Sequence, residues 1–306
     1  MHEGSRRAIL AAFLANLGIA IAKFIGFLIT SSAGLLAEAA HSLADTGNQL
    51  LLILGLRRSA RTRDSEHQFG YGRERYFWAF VVALVLFSMG GLFALYEGIE
   101  KFRHPHETEN LGVAVGILLF AVVLESLSLR TAVKEARHTK SRDVSWWHYI
   151  RRSKAPEIPV VLLEDVGAEI GLFLALVGVL MAHYTDEPRW DAGASIAIGI
   201  LLIVIAMVLA VEMKGLLIGE SASSETQQAI VTAMTGSEKV NRIIHLRTEH
   251  LGPDEILVGA KLEFSPDLTL PELATAINEV EAATRAAVPS ARTIYIEPDI
   301  YVAPTA

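Results

Sequence analysis

The sequence predicts an α-helical membrane protein in which a six-helix transmembrane bundle is followed by a small α+β domain. The chain of 306 residues is 52% hydrophobic and only 20% charged, whereas average soluble domains are less apolar and about a quarter charged. It contains six apolar stretches of about 20 residues, long enough to cross the hydrocarbon core of a bilayer as helices. After Gly219 these stretches end, and patterns typical of short strands and helices begin.

The six predicted spans are each bounded by charged or turn-forming residues. They cover residues 8–30, 35–56, 76–97, 111–129, 159–183 and 192–218. The first stretch is longer than the apolar region of a signal peptide, and the second follows after only four residues. We therefore expect the first stretch to be a span and not a cleaved leader.

Lys and Arg are concentrated in the loops after spans two and four, whereas the opposite loops hold only Lys101, Arg103 and Arg189. Positively charged loops remain in the cytoplasm, so we expect both termini on that side. No Arg-rich and Ser-rich transit peptide precedes the first span. This favours a multi-pass protein of a bacterial inner membrane.

Residues 219–306 predict a cytoplasmic domain of order α-β-β-α-β, ferredoxin-like, separate from the transmembrane domain of residues 1–218. Apolar residues alternate with polar ones from Val258 to Phe264, which is the period of a half-buried strand, and the pattern also occurs from Ile244 to Thr248. Apolar residues at helical spacing follow at Leu273, Ile277, Val280, Ala283 and Ala287. Ile294 and Ile296 belong to a final strand.

The composition excludes several classes of function. The chain has no cysteine, which rules out disulfides, iron–sulfur clusters and thiol nucleophiles, so any metal site must use His, Asp and Glu. The net charge is −7 and the isoelectric point is about 5.8. A nucleic-acid partner is therefore not expected, because no basic domain is available to neutralise phosphates.

Span two carries ionisable groups at membrane depth, where a charge costs several kcal/mol and persists mainly where it serves a pathway. The polar residues Glu38, His41, Asp45 and Asn48 recur at helical spacing and share one face. His41 and Asp45 lie one turn apart, so an imidazole nitrogen and a carboxylate oxygen can reach a common point.

Span five carries three carboxylates, Glu164, Asp165 and Glu169. Asp165 and Glu169 also lie one turn apart, and two helices that each offer such a pair can form a four-coordinate site in a bundle. Nitrogen and carboxylate ligands suit Zn²⁺ first, while Mn²⁺, Fe²⁺, Co²⁺ and Cd²⁺ would also fit. The alternative is that these groups serve only as polar contacts between helices.

The predicted spans hold further ionisable side chains, among them Lys23, Glu125 and Glu212. Lys23 in span one would pair with a carboxylate of the bundle. Glu125 in span four would relay protons, line a cavity or pair with Arg130 on its own helix.

Two segments resemble the cation diffusion facilitator family: LLAEAAHSLADTGNQLLLILGL at 35–56 and HQFGYGRER at 67–75. The terminal YIEPD at 295–299 is similar as well. The resemblance implies a six-span transporter of divalent metal, not an enzyme, with a cytoplasmic tail domain. It further implies export of metal from the cytoplasm in exchange for protons, within a homodimer surrounded by membrane lipid.

Within this resemblance, His41 and Asp45 match the ligands of span two, and Asp165 matches the acidic ligand of span five. Val161 stands where most members have a second span-five ligand and cannot bind metal. The segment LLED at 162–165 instead resembles a zinc-transporter branch with a Glu-Asp pair. The fourth ligand is then Glu164, Glu169, Glu38 or a water. Glu164 lies about 100° around the helix from Asp165, so we expect that sharing one ion would need local unwinding.

The resemblance also covers metal sites outside the spans. Asp64 and His67 match ligands of a loop site, but Tyr71 replaces the third, and a neutral phenol binds zinc poorly. In the tail domain, Lys261 and Tyr295 stand where histidines are expected. The remaining His245 and His250 are expected to be surface residues.

Two other functions fit parts of the sequence. A metal-responsive sensor or scaffold without transport would keep the same fold. An intramembrane metal-dependent hydrolase would also place His and carboxylates at mid-bilayer, but the HExxH motif of metalloproteases is absent.

Overall fold

A computed structural model describes residues 3–108, 110–140 and 143–303, with side chains from Asn16 onward except that of Thr139. The chain forms two compact units. Unit 1 combines Met1–Arg57 with Tyr76–Lys214, and unit 2 combines Arg58–Arg75 with Gly215–Ala306. The loop after the second predicted span therefore belongs to the same unit as the tail domain.

Unit 1 is built from helices at each of the six predicted spans. The helical segments are α1 (Glu3–Thr30), α2 (Ala33–Ser59), α3 (Glu74–Val85), a π-helical segment (Leu86–Leu92), α4 (Phe93–Arg103), α5 (Leu111–Thr139), α6 (Trp146–Arg152), α7 (Glu157–Thr185) and α8 (Arg189–Ile218). The third predicted span comprises α3, the π-helical segment and α4, and α6 lies between the fourth and fifth spans. Within the described residues, three segments are long and apolar enough to cross a membrane: Glu74–Arg103, Leu111–His138 and Arg189–Ile218. The other three spans stay predictions.

The third predicted span packs closely against α8. A Cβ atom added to Gly199 of α8 would lie 2.6 Å from the backbone nitrogen of Leu95. Gly98 of α4 meets the backbone nitrogen of Ile196 in the same way, at 2.7 Å. Small residues let helix backbones approach each other in membranes, which explains why glycine stands at these two positions.

A buried ion pair ties α2, α4 and α8 together at one end of the bundle. Lys101 Nζ lies 2.8 Å from Asp191 Oδ2, and both side chains are buried. Asp191 also accepts hydrogen bonds from the backbone N–H groups of Ala33 (2.9 Å) and Gly34 (3.3 Å), in the first turn of α2. Lys101 was expected to lie in a loop, but it lies in α4 and is buried.

Unit 2 contains α9 (Ser224–Thr235), β1 (Val240–Gly252), β2 (Glu255–Phe264), α10 (Leu270–Ala287) and β3 (Thr293–Pro298). This is the order that the sequence predicts. The sheet order is β1-β2-β3, with β2 antiparallel to β1 and parallel to β3. A parallel pair needs a crossover connection, and α10 provides it.

The core of the tail domain lies between one face of the sheet and the two helices. Burial alternates along β2, with Val258, Ala260 and Leu262 buried, as the apolar alternation predicts. Ile230 of α9 and Val280 of α10 are buried in the same cluster. The period of two in β2 therefore reports directly which face of the strand packs on the helices.

The segment Arg58–Arg75 packs on the turn that joins β1 to β2. Ion pairs with that hairpin join Arg63 to Glu255, Arg73 to Glu249 and Arg75 to Asp254. A Cβ atom added to Gly72 would lie 2.5 Å from the carbonyl oxygen of Leu251 and 3.1 Å from Cα of Gly252. Only glycine allows the loop to approach the hairpin this closely.

Replacing Gly72 with alanine should therefore loosen the packing of this loop on the hairpin by about 1–3 kcal/mol, the usual cost of overpacking. Hydrogen exchange of the amides between Arg58 and Arg75, measured by mass spectrometry on the full chain, should become faster. Gly259→Ala is the matched control, because nothing lies within 4 Å of the added Cβ there. Equal protection in the two variants would contradict this account of the contact.

Candidate metal centre

The candidate ligands of α2 lie on its buried face. His41 is fully buried, and its Nδ1 lies 3.4 Å from Oδ1 of Asp45 one turn later. Neither ring nitrogen of His41 has a hydrogen-bond partner among the described residues. An imidazole buried without hydrogen bonds is costly unless something else uses its lone pair.

The three carboxylates of α7 contact two different helices. Glu164 accepts a hydrogen bond from Nδ2 of Asn48 on α2, at 2.6 Å. Asp165 accepts one from the hydroxyl of Ser128 on α5, at 3.1 Å, and Glu169 accepts one from the hydroxyl of Ser126. The rotation between neighbouring helix positions therefore directs Glu164 to α2 and the other two carboxylates to α5.

A small cavity lies between these helices, with a volume of about 10 Å³. Its lining residues are Asn16, Ser42, Asp45, Gln49, Glu125, Val161, Glu164 and Asp165. A volume of about 10–15 Å³ is enough for one water molecule, so the cavity is also of the size of a single ion. Four of its lining side chains carry carboxylates, so the cavity is strongly acidic.

The cavity brings together three of the five predicted ligands: Asp45, Glu164 and Asp165. His41 contacts Asp45 but is not part of the cavity lining, and Glu169 is not part of it either. Across the described residues, no three His, Asp or Glu side chains stand close enough to hold a metal ion as they are placed. Glu164 and Asp165 both line the cavity from a continuous helix.

A buried cation, Lys23, lies beside this cavity. Lys23 Nζ donates hydrogen bonds to Glu38 Oε2 at 3.1 Å and to Ser42 Oγ at 2.8 Å. It also lies 3.6 Å from Oε1 of Glu125. Lys23 therefore has the bundle carboxylate that was expected for it, and Glu125 pairs with this lysine across helices.

Tyr71 contacts both residues of the predicted loop site, Asp64 and His67. The Tyr71 hydroxyl donates to Asp64 Oδ2 at 2.5 Å, and the His67 backbone N–H donates to Oδ1 at 2.8 Å. Both hydrogen bonds lower the pKa of Asp64 below its usual range, and the one from Tyr71 has the larger effect. The His67 ring stacks on the Tyr71 ring, with 4.3 Å between ring centres, and the guanidinium carbon of Arg61 lies 4.5 Å from the centre of the same Tyr71 ring. The carboxylate of Asp64 thus forms hydrogen bonds within its own loop, to His67 and Tyr71.

The tail domain has a lysine between two carboxylates where a histidine was expected. Lys261 Nζ lies 2.8 Å from Asp299 Oδ2 and 3.0 Å from Glu297 Oε1. Both contacts raise the pKa of Lys261, and the one with Asp299 has the larger effect.

The prediction of a surface position was wrong for His250, which is buried with its Nδ1 3.3 Å from the carbonyl oxygen of Gly252.

Comparison with known proteins gives a consistent family. Residues 9–218 match the cation efflux transmembrane domain. The chain is 30% identical over 263 residues to the human protein named proton-coupled zinc antiporter SLC30A9, mitochondrial, a match covering 86% of this chain and 46% of that protein. It is 26% identical over 269 residues to metal tolerance protein C4 of Arabidopsis thaliana, covering 88% of this chain and 59% of that protein. The chain thus spans about half the length of these relatives.

A third relative is magnetosome protein MamM of Paramagnetospirillum magneticum, 25% identical over 245 residues, which are 78% of this chain and 72% of that protein. A solved structure, MamM-CTD 215-293, matches at a TM-score of 0.24 and 21% identity, covering 25% of this chain and 96% of that one. The family model covers most of this chain, and the sequence resemblance is confirmed. The chain belongs to the cation efflux family, whose members are transporters and not enzymes.

Proposed function

We propose that this protein exports a divalent metal cation from the cytoplasm in exchange for protons, and that Zn²⁺ is its main substrate. The observation that carries the proposal is the ion-sized cavity lined by Asp45, Glu164 and Asp165, with His41 beside Asp45. One nitrogen and several carboxylate oxygens without sulfur form a donor set that suits Zn²⁺. The human relative is named a proton-coupled zinc antiporter, which agrees with this substrate.

We assign His41, Asp45 and Asp165 as ligands and Glu164 as the fourth. What supports Glu164 is its position on the cavity wall, which Glu169 does not share among the described residues. Glu164 would exchange its hydrogen bond with Asn48 for the metal. His41 would turn its free ring nitrogen toward the cavity when the ion enters.

Exchange with protons follows from the chemistry of these ligands. Metal binding needs a deprotonated carboxylate and a neutral imidazole, so protons and metal compete for the same atoms. A site that binds metal when open to the cytoplasm and releases it on protonation at the other face would use an inward proton gradient to drive export. The competition at one site couples the two fluxes.

The same proposal includes the setting of the protein. We place both termini and the tail domain in the cytoplasm, because the basic loops after spans two and four favour that side. A bacterial inner membrane is the proposed location, and a homodimer the proposed assembly. Mn²⁺, Fe²⁺, Co²⁺ and Cd²⁺ are the proposed secondary substrates.

Flux measurements in proteoliposomes test the function. Zinc added outside vesicles with an imposed pH gradient should enter and move protons in the opposite direction, and a protonophore that collapses the gradient should abolish the accumulation. The other four ions, added in excess, should compete in proportion to their affinity. Tight zinc binding with no flux of any metal would replace transport by a sensor or scaffold function.

A further inference from the structure

Lys23 is a positive charge fixed inside the bundle. The side chain is fully buried, and burying an ammonium group without partners costs many kcal/mol. Its partners come from two other helices: Glu38 and Ser42 on α2, and Glu125 on α5. Lys23 therefore joins α1 to both helices at the depth of the candidate metal site.

Two of these three partners also line the ion-sized cavity. Ser42 and Glu125 share its wall with Asp45, Glu164 and Asp165. The ammonium group of Lys23 thus contacts the same carboxylate cluster that a metal ion in the cavity would contact. A cation in that cavity would lie next to Ser42 and Glu125, which also contact Lys23, so the two positive charges would interact.

We propose that Lys23 is a tethered cation that sets the affinity of the cavity for the transported metal. This inference rests on the proposed metal transport through the same cluster. A cavity with four carboxylates and no opposing charge would hold a divalent ion too tightly for release, and conduction needs binding weak enough for the ion to leave. The lysine neutralises part of the cluster and so keeps the bound ion exchangeable.

The expected effect is large because the ion is divalent. At a separation of about 10 Å and an effective dielectric constant of about 20, one elementary charge changes the affinity for a divalent ion by well over tenfold. Lys23→Met should therefore bind zinc at least tenfold more tightly than the wild type, with slower turnover in flux assays. Lys23 would act through charge, since none of its atoms is a ligand.

Glu38→Gln gives the opposite charge change on the partner of Lys23. It frees the ammonium from one carboxylate and should weaken zinc binding. The double variant Lys23→Met with Glu38→Gln has the same cluster charge as the wild type and should return close to wild-type affinity. Lys134→Met on α5 is the matched control, because Lys134 is exposed, and its affinity should not change.

The affinities would be measured on the purified full chain in detergent by competition with a fluorescent zinc chelator, after thermal unfolding has shown that each variant is folded. Should Lys23→Met not fold, Glu38→Gln and the double variant still give the sign of the charge effect. Affinities within twofold of the wild type in Lys23→Met and Glu38→Gln, or no restoration in the double variant, would overturn the inference. A wild-type protein that neither binds nor moves any of the tested metals would instead overturn the proposed function.

Discussion

Proteoliposomes carrying Asp165→Asn should show no zinc-driven proton movement. The amide keeps the shape of the side chain and can still contact Ser128, but it loses the negative charge and the basic oxygen that a zinc ion needs. Removing a group that only orients a ligand already costs about 10–100-fold in affinity or activity. Removing the ligand itself should therefore reduce flux by at least about 100-fold, measured as initial rates under a fixed pH gradient.

The matched control for this experiment is Glu135→Gln, the same acid-to-amide change at an exposed position of α5. Its flux should equal that of the wild type. A comparison of Glu164→Gln with Glu169→Gln then identifies the fourth ligand, since only Glu164 lines the cavity within the described part of the chain. Wild-type flux in Asp165→Asn would remove Asp165 from the site.

Asp191→Ala should strongly destabilise unit 1. The substitution leaves the Lys101 ammonium buried without its carboxylate and removes the acceptor of the α2 amides at Ala33 and Gly34. Breaking a buried pair from one side costs about 3–5 kcal/mol. Thermal unfolding in detergent and faster hydrogen exchange in the first turn of α2 would measure the loss.

Two companion variants separate the buried charge from other causes. Glu187→Ala removes a partly exposed acid near the same end of α8, and its effect should stay within about 0.5 kcal/mol. Lys101→Met combined with Asp191→Leu removes both charges and should be less destabilising than Asp191→Ala alone, because no charge is left unpaired. If the double variant is no more stable than Asp191→Ala, the capping of α2 and not the ion pair is the main contribution.

Patterns that repeat over a few residues could be predicted from the sequence. The period of two in β2 identified its buried face, and the spacing of His41 and Asp45 placed them within 3.4 Å of each other. Both depend only on the geometry of a single strand or helix. The α-β-β-α-β order of the tail domain followed from the same local signals.

Pairings between distant parts of the chain could not be predicted in this way. Asn48 and Glu164 lie 116 residues apart, and Lys101 and Asp191 lie 90 apart. A helical pattern shows which face of a helix is polar, but several neighbouring helices could receive that face. For this reason the sequence left open whether Glu125 relays protons, lines a cavity or contacts Arg130 on its own helix, whereas the bundle pairs it with Lys23.

The π-helical segment Leu86–Leu92 sets the angular phase of α4. A bond from residue i to i+5 encloses one more residue than the α-helical bond, and one residue corresponds to about 100° of rotation. Deleting a residue there would restore regular α-helix and turn α4 by that angle. Lys101 would then face away from Asp191, and Gly98 away from Ile196. The wide turn thus determines which face of α4 packs on α8.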